Sequence, residues 1–452
     1  CLVGSEMCIR DSRYTVRLEG SSIAIMKWIP TSTANGSYHG TAMSIKVVDG
    51  QGDNAVKVAY KTEVDFASLP VYGLDGQVVK VQGVNEEAAD DYYVKFVANI
   101  DSESESARNE GTSYGQHFGK GIWKESAPNK EKETIDSSTM PHVLESRIGE
   151  QSGNPAGINE GDPYFVFKSF DFSSREVGDS ETNKTPSFIG RKISGLTYHR
   201  GRLGIMANES LALSEAAGPA NFYRTTVNIL RDTDRIDITA RSPKVSILRS
   251  AVEMQENLLL FSDQNQFILT TGGGPLSPAS AGLDMVSNYE ATSYVAPQVT
   301  GFSAYFPFSR GSYSGIERLY PAGGAANLFK GEEATAQVPN YIKGSVRSMA
   351  VSEMEKCLAV LTDDGQYLYI YKWEDVGERR AQSAWFKHEF TPSSLGTRGN
   401  ILGVQIIDSA VYILVVRNGS APYKVCLERI DLEDGALDIA DTETTDDVWY
   451  MT

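Results

Sequence analysis

The chain has 452 residues, 41% of them hydrophobic and 22% charged, with a formal net charge of −17. That is enough to bury a large core across two or three domains, and it excludes a disordered or fibrous chain. No apolar run approaches the roughly 18 residues of a membrane helix and no leader-like segment opens the chain, so it reads as soluble, while the acidic balance argues against a nucleic-acid binder, which would show a basic stripe.

The first twelve residues, CLVGSEMCIRDS, fit neither strand nor helix and read as a non-native, adapter-like segment (1–12). From 13 to 121 the chain reads as a β domain, a small barrel or sandwich. Strand-length runs rich in Val, Ile and Tyr fall at 22–29, 41–48, 54–62, 76–83 and 91–100. Turn residues at 49–54 and 74–76 suit hairpins. The polar stretch 101–121 reads as an exposed, mobile loop. The acid-rich runs 85–96 and 432–447 read as solvated loops or faces.

Further on, short strands are expected at 138–145 and 164–172, separated by a polar loop at 149–163 and followed by the turn-rich 175–190. Two apolar hairpins then stand out, LGIMANESLALS (203–214) and LLLFSDQNQFIL (258–269). The second has a gapless near copy in LAVLTDDGQYLY (358–369), which aligns Ser262 with Thr362, Asp263 with Asp363, Gln266 with Gln366 and Phe267 with Tyr367. With 301–321 and 403–430, the strand pairs centre near 205, 260, 306, 361 and 413, about 45 to 55 residues apart, close to the period of a propeller blade. The fold class is therefore all-β: a β-propeller of five or six blades, complete or not, within 122–452 (its blades across roughly 140–452), with the barrel or sandwich ahead of it. A parallel β-helix is the alternative, although its rungs would be shorter. The best helix candidate, 218–230, is granted a turn or two at most.

Chemical signals are thin. The five histidines are scattered without an HExxH pair, which disfavours zinc. Asp232, Asp234 and Asp237 suggest a calcium loop, but arginines interleave and no bidentate Glu follows, so a turn capped by its own carboxylates is preferred. TDDGQ (362–366) resembles the Asp-box hairpin of sialidase-type propellers, the ground for a glycoside hydrolase reading. The aromatic that closes such a box is missing, and a type I′ turn alone would demand Asp-Gly. Gly272–Gly274 is no phosphate loop. His199, Arg200 and Arg202 read as structural, pairing with neighbouring carboxylates. Cys357 and Cys426 read as small buried thiols on strands. No catalytic residue, metal or cofactor is expected, and a generic propeller interaction scaffold is the bland alternative.

Several motifs occur together in a fixed order: Thr139, Met140, Pro141 and His142 (TMPH); Gly178, Asp179, Thr182, Asn183, Pro186, Ser187, Phe188 and Gly190 (GDxxTNxxPSFIG); Arg202, Leu203 and Gly204 (RLG); and Asp232, Asp234, Ile236 and Asp237 (DTDxID). In these, and in the run DGQVVKVQGVNEEAADDYYVKF (75–96), the chain resembles the tail tubular protein B family, the tail nozzle subunits of short-tailed phages. The resemblance covers roughly 75–320 well and the remainder weakly. Arg235 stands where the family has Pro, and the Gly- and Gln-rich start of the family is missing, so a fragment is expected. The resemblance implies a virion tail protein built around a β-propeller: a homohexameric ring below a tail tubular protein A-like adaptor, docking tail fibres and passing phage DNA through its lumen without specific binding.

Overall fold

In the computed structural model, the described residues are 133–432 apart from 293, 323–328, 377–378, 390–398 and 418–423, together with 12–19, 23–30, 47–48, 55–56, 62–63, 66–69, 71–74, 76–81, 91–98 and 118–128. The expected adapter segment (to 11), most of the strands expected at 41–48 and 54–62, the loop 101–117 and the acidic run from 433 lie outside them. The described residues are all-β, without an α-helix. The chain divides into two compact units, Cys1–Pro186 with Ser214–Arg235, and Ser187–Leu213 with Ile236–Thr452.

The first unit begins with two small antiparallel pairs, β1 (Ser12–Glu19) with β2 (Ile23–Pro30) and β3 (Val47–Val48) with β4 (Ala55–Val56). Next come β5 (Thr62–Glu63), β6 (Tyr72–Leu74), β7 (Val78–Val81), β8 (Tyr92–Ala98) and β9 (Phe118–Ser126), which form one sheet in the order β5-β7-β8-β9-β6. Strand β8 alternates, so Val94, Phe96 and Ala98 point inward, and Phe96 meets Trp123 of β9 edge-on at 5.0 Å. The acid-rich run 85–96 is thus no solvated face over its described part. Asp91 is buried with its carboxylate 2.6 Å from Lys80 Nζ, a pairing across strands that composition does not reveal. β9 begins four residues inside the stretch read as loop.

A hairpin follows, β10 (His142–Ile148) with β11 (Pro163–Ser169). The expected strand at 138–145 starts only at His142, because Ser137–Thr139 form a 3₁₀ turn capped by Asp136, whose carboxylate accepts from Ser138 N–H at 3.0 Å. The segment 218–230 contains no helix. Its β-branched second half resists helical χ1 packing, and side chains of the same unit hold its backbone in irregular turns.

The second unit contains five consecutive antiparallel sheets. The first is β12 (Ile193–His199), β13 (Arg202–Ala207), β14 (Ser210–Leu213) and β15 (Ile236–Thr239). The second is β16 (Leu248–Met254), β17 (Asn257–Ser262), β18 (Gln266–Thr270) and β19 (Gly282–Ser287). In the third, β20 (Gln298–Thr300), β21 (Ser303–Arg310), β22 (Tyr313–Pro321) and β23 (Phe329–Glu333) run in order, and β24 (Ile342–Lys343) also pairs with β22. The fourth is β25 (Val346–Ser352), β26 (Cys357–Thr362), β27 (Tyr367–Val376) and β28 (Arg379–Glu389). The fifth has three strands, β29 (Gly399–Ile407), β30 (Ala410–Arg417) and β31 (Lys424–Asp431). The hairpins read near 205, 260, 306, 361 and 413 each fall within one of these sheets.

Continuous apolar runs such as LLLF and LAVL arise because both faces of these strands are covered. Leu258 and Leu260 join Met206, Leu211 and Leu213 of the first sheet, whereas Leu259 and Phe261 face Ala304, Phe306 and Leu319 of the third. One hundred residues on, Leu358 and Val360 pack with Tyr305 and Ile316, and Ala359 and Leu361 pack with Val411, Ile413 and Val415. The second, third and fourth sheets therefore each share one apolar layer with the sheet before and another with the sheet after. First strands lie beside first strands, β12 with β16, β16 with β20, β20 with β25 and β25 with β29. Four of them carry a bulge near their start, at Ile193/Gly195, Leu248/Ser250, Val346/Ser348 and Ile401/Gly403, a repeat in geometry that the residues do not spell.

Candidate functional site

The motif residues gather mainly where polar side chains seize backbone. In the first unit, Asp179 Oδ1 accepts from the N–H groups of Glu181 and Thr182 and from the Thr182 hydroxyl, each at 3.0 Å, and Thr182 Oγ1 accepts from Asp179 N–H at 3.0 Å. Burial works to raise this carboxyl, but the donors from Thr182 and Glu181, helped by Lys80, outweigh it and hold the group below the usual range. The closed turn needs Gly178, which sits at φ +72° with room for no Cβ, since one would lie 2.7 Å from Val227 Cγ1.

Asn183, fully buried, is the clasp of this region. Its Nδ2 donates to the carbonyls of Val177 (2.9 Å) and Arg224 (3.1 Å), and its Oδ1 accepts from Arg224 N–H (3.0 Å). An amide alone offers donor and acceptor on one planar end, so it can substitute for a strand partner on both sides of a residue. The Arg224 guanidinium lies 3.8 Å from the buried Asp234 carboxylate, which accepts from Arg231 N–H at 2.9 Å. Glu125, on β9, accepts from the Thr226 hydroxyl (2.7 Å), Val227 N–H (3.1 Å) and the Asn228 amide. Asn183 and Asp234, from two separate motifs, thus meet at Arg224. Glu125 and Arg224 were not among the residues singled out in the sequence, because the groups they hold lie far from them along the chain.

Of the TMPH residues, Met140 is buried, and His142 Nδ1 lies 3.0 Å from the Met140 carbonyl while its ring stacks on Phe167. Thr139 and Pro141 flank the 3₁₀ turn and β10. In the second unit, the Asp237 carboxylate accepts from Ser187 N–H at 2.8 Å, Phe188 and Ile236 are buried, and Gly190 takes φ +73°. Arg202 is buried, Leu203 is partly covered, and a Cβ on Gly204 would stand 2.5 Å from Thr197 Cγ2. Pro186 closes the first unit's segment. Asp234 and Asp237 are thus turned to backbone donors. Asp232 stays on the exposed turn between Arg231 and Thr233.

His199 Nδ1 lies 2.6 Å from Glu253 on the next sheet, and Arg200, at φ +46°, donates to the Glu256 carbonyl. The turn after Thr362 is not type I′. Only Gly365 is left-handed (φ +64°), and its N–H donates to the Thr362 carbonyl at 3.2 Å, the pattern of a type I turn closed by a glycine bulge. Asp363 Oδ1 accepts from Ser345 N–H, just ahead of β25, and Asp364 Oδ1 from Gln366 N–H within the turn, so both carboxylates are spent on backbone donors.

Two charged sites of the second unit were not legible in the sequence. Arg380 donates to both oxygens of Asp375 (2.9 and 3.1 Å) and to the hydroxyls of Tyr305 and Tyr371, with its guanidinium 5.0 Å above the Trp373 ring. Glu317 is buried opposite Glu333 in the β22–β23 register. Burial, then Glu333 and Glu332, push its carboxyl up to about 7. Cys357 is buried and its thiol is pushed up to about 11 by desolvation, whereas Cys426 is only partly covered. Among the described residues, no three His, Cys, Asp or Glu side chains come together as a metal set, and no helix is long and apolar enough to cross a membrane.

A family model described as bacteriophage nozzle protein matches residues 12–448. Tail tubular protein gp12 of Escherichia phage T7 is 28% identical over 397 residues, covering 88% of this chain and 45% of that protein. The chain thus spans less than half the length of this relative. Among solved structures, Hsv2p of Kluyveromyces lactis (TM-score 0.34, 9% identity, 60% of this chain and 67% of that one) and PorZ of Porphyromonas gingivalis (TM-score 0.24, 12% identity, 59% and 36%) are similar only at a level too slight to carry a fold assignment.

Proposed function

Because this chain belongs to the bacteriophage nozzle protein family, we propose that it is a structural subunit of a phage tail nozzle, located in the virion tail. Copies assemble as a homohexameric ring below a tail tubular protein A-like adaptor, dock tail fibres, and enclose the channel through which the genome leaves. The match across 12–448 carries this reading. The geometry is in keeping with it, since the motif carboxylates and amides are spent on fastening backbone within each unit. We read the five sheets of the second unit as blades of an incomplete propeller, with the β domain ahead of them closing as a small barrel or sandwich.

The tube wall carries out no chemistry in this reading. Its net charge of −17 keeps a sliding polyanion from adhering, because like charge raises the energy of close approach. Negative-stain images of the chain mixed with its adaptor are expected to show six-fold rings. Persistent monomers, or rings of another order, would refute the hexamer. Turnover of a sugar polymer by the purified chain would refute the non-enzymatic role in favour of a propeller glycosidase.

A further inference from the structure

One carboxyl group of the third sheet lies inside an apolar layer without a partner. Along β22, Ile316 faces the fourth sheet and Leu319 the second, so Glu317 points with Leu319 into the layer that the second and third sheets share. Phe306 stands opposite it on β21 and Glu333 opposite it on β23. Its residue is 7% exposed, and among the described residues no donor bonds its carboxyl.

No cation offsets its charge. The facing Glu333 carboxylate is already taken by Arg310 Nη2 at 2.8 Å and by the Thr335 hydroxyl at 2.9 Å. Glu332 and Lys330 alternate with Glu333 along β23 and lie on its other face, where Glu332 meets Arg318 at 3.5 Å. Asp284 of β19 and Glu290 beyond it are exposed. The remaining wall is Tyr289, whose ring lies over Gly331 of β23. A Cβ on that glycine would run into the ring and stand 2.5 Å from Glu317 Oε1, so the glycine leaves a notch in which ring and carboxyl meet. Tyr289 is 36% exposed and forms the solvent side of this notch. Its segment is tied down at few points: Gln266 bonds the Tyr289 N–H and carbonyl, Ala291 N–H donates to the Asp263 carbonyl, and Thr292 N–H donates to that of Pro307.

A neutral carboxyl is tolerated in such a layer, whereas an ionised one must regain water or a partner. Burial first, and the neighbouring glutamates next, set its ionisation near neutrality. We propose that Glu317, Gly331 and Tyr289 form a proton-operated latch between the second and third sheets, closed while the carboxyl keeps its proton and opened when the proton passes to solvent. On opening, Tyr289 lifts off Gly331 and water reaches the carboxylate. Moving the short segment 287–292 admits that water without parting the sheets. The inference is independent of any ring the chain forms.

The test is hydrogen exchange of the whole chain, expressed as protection factors so that the intrinsic pH dependence of exchange drops out. Protection of 287–292 is expected to fall at least about tenfold between about pH 5.5 and 8.5, while 358–361 in the fourth sheet stays unchanged. Glu317→Gln should keep the segment at its low-pH protection throughout, and Gly331→Ala should leave it weakly protected even at low pH. An equal fall in Glu317→Gln would assign the titration to another group and overturn the proposal. So would a parallel loss in the fourth sheet, the mark of general unfolding, or protection of 287–292 that is the same at both ends of the range. Full low-pH protection in Gly331→Ala would also overturn it, because ring and carboxyl would then not need the notch.

Discussion

The two units are held together by different means. In the second, alternate residues of each middle strand enter two separate apolar layers, as Leu258 and Leu260 do on one side and Leu259 and Phe261 on the other. In the first, the segment Ser214–Arg235 has no strand, and Asn183, Glu125 and Asp234 hold its backbone groups by hydrogen bonds. Apolar layers are tolerant of sequence and costly to empty. A polar clasp depends on individual atoms, because each buried donor or acceptor left unpaired costs its full desolvation.

The largest expected effect comes from emptying a layer. Phe267→Ala removes a fully buried ring from the layer between the first and second sheets and should cost about 3–5 kcal/mol, read as a lower thermal transition of the second unit; a loss under about 1 kcal/mol would show that the layer collapses to fill the hole. Asn183→Ala should cost about 1–3 kcal/mol and act locally, so that limited proteolysis cleaves within 214–235 while the second unit's transition stays in place. Both transitions moving together would erase the contrast. Gly178→Ala forces a Cβ into a left-handed site already occupied by Val227 and Thr182, and a loss of about 1 kcal/mol or more is expected, with the same proteolytic signature.

The smallest test concerns pH. Glu317 has its folded pKa raised from 4.5 to about 7, so between those values the folded chain binds more protons than the unfolded one. Stability present at low pH is therefore lost as pH rises through this window. Glu317→Gln should flatten that part of the transition-temperature profile, and an unchanged slope would place its origin elsewhere.

How far the sequence could be read follows from the same contrast. Continuous or alternating apolar runs disclosed the central hairpins of all five sheets and the 45 to 55 residue spacing, about one blade period. The first strands were harder to see: Ile193–His199 and Leu248–Met254 mix Ser, Gly, Arg and Glu with apolar residues, since a bulge breaks their alternation. The type I′ turn assigned at 362–366 failed because a glycine bulge and a type I′ turn use the same Asp-Gly letters and differ only in which residue crosses to positive φ. The motif residues were singled out as a group, but the partner of Asn183 lies forty-one residues away at Arg224, and Glu125 reaches Thr226 across one hundred and one.

By itself the sequence determined the central strands of the five sheets, because burial on both faces imposes a pattern that residues must obey wherever the strand ends up. It also determined the family, through short motifs in a fixed order. Only the tertiary structure decided which layers those strands share, which carboxylates hold backbone, and which apolar faces stay open. Those outcomes depend on distances between residues far apart along the chain, and no local preference encodes such distances.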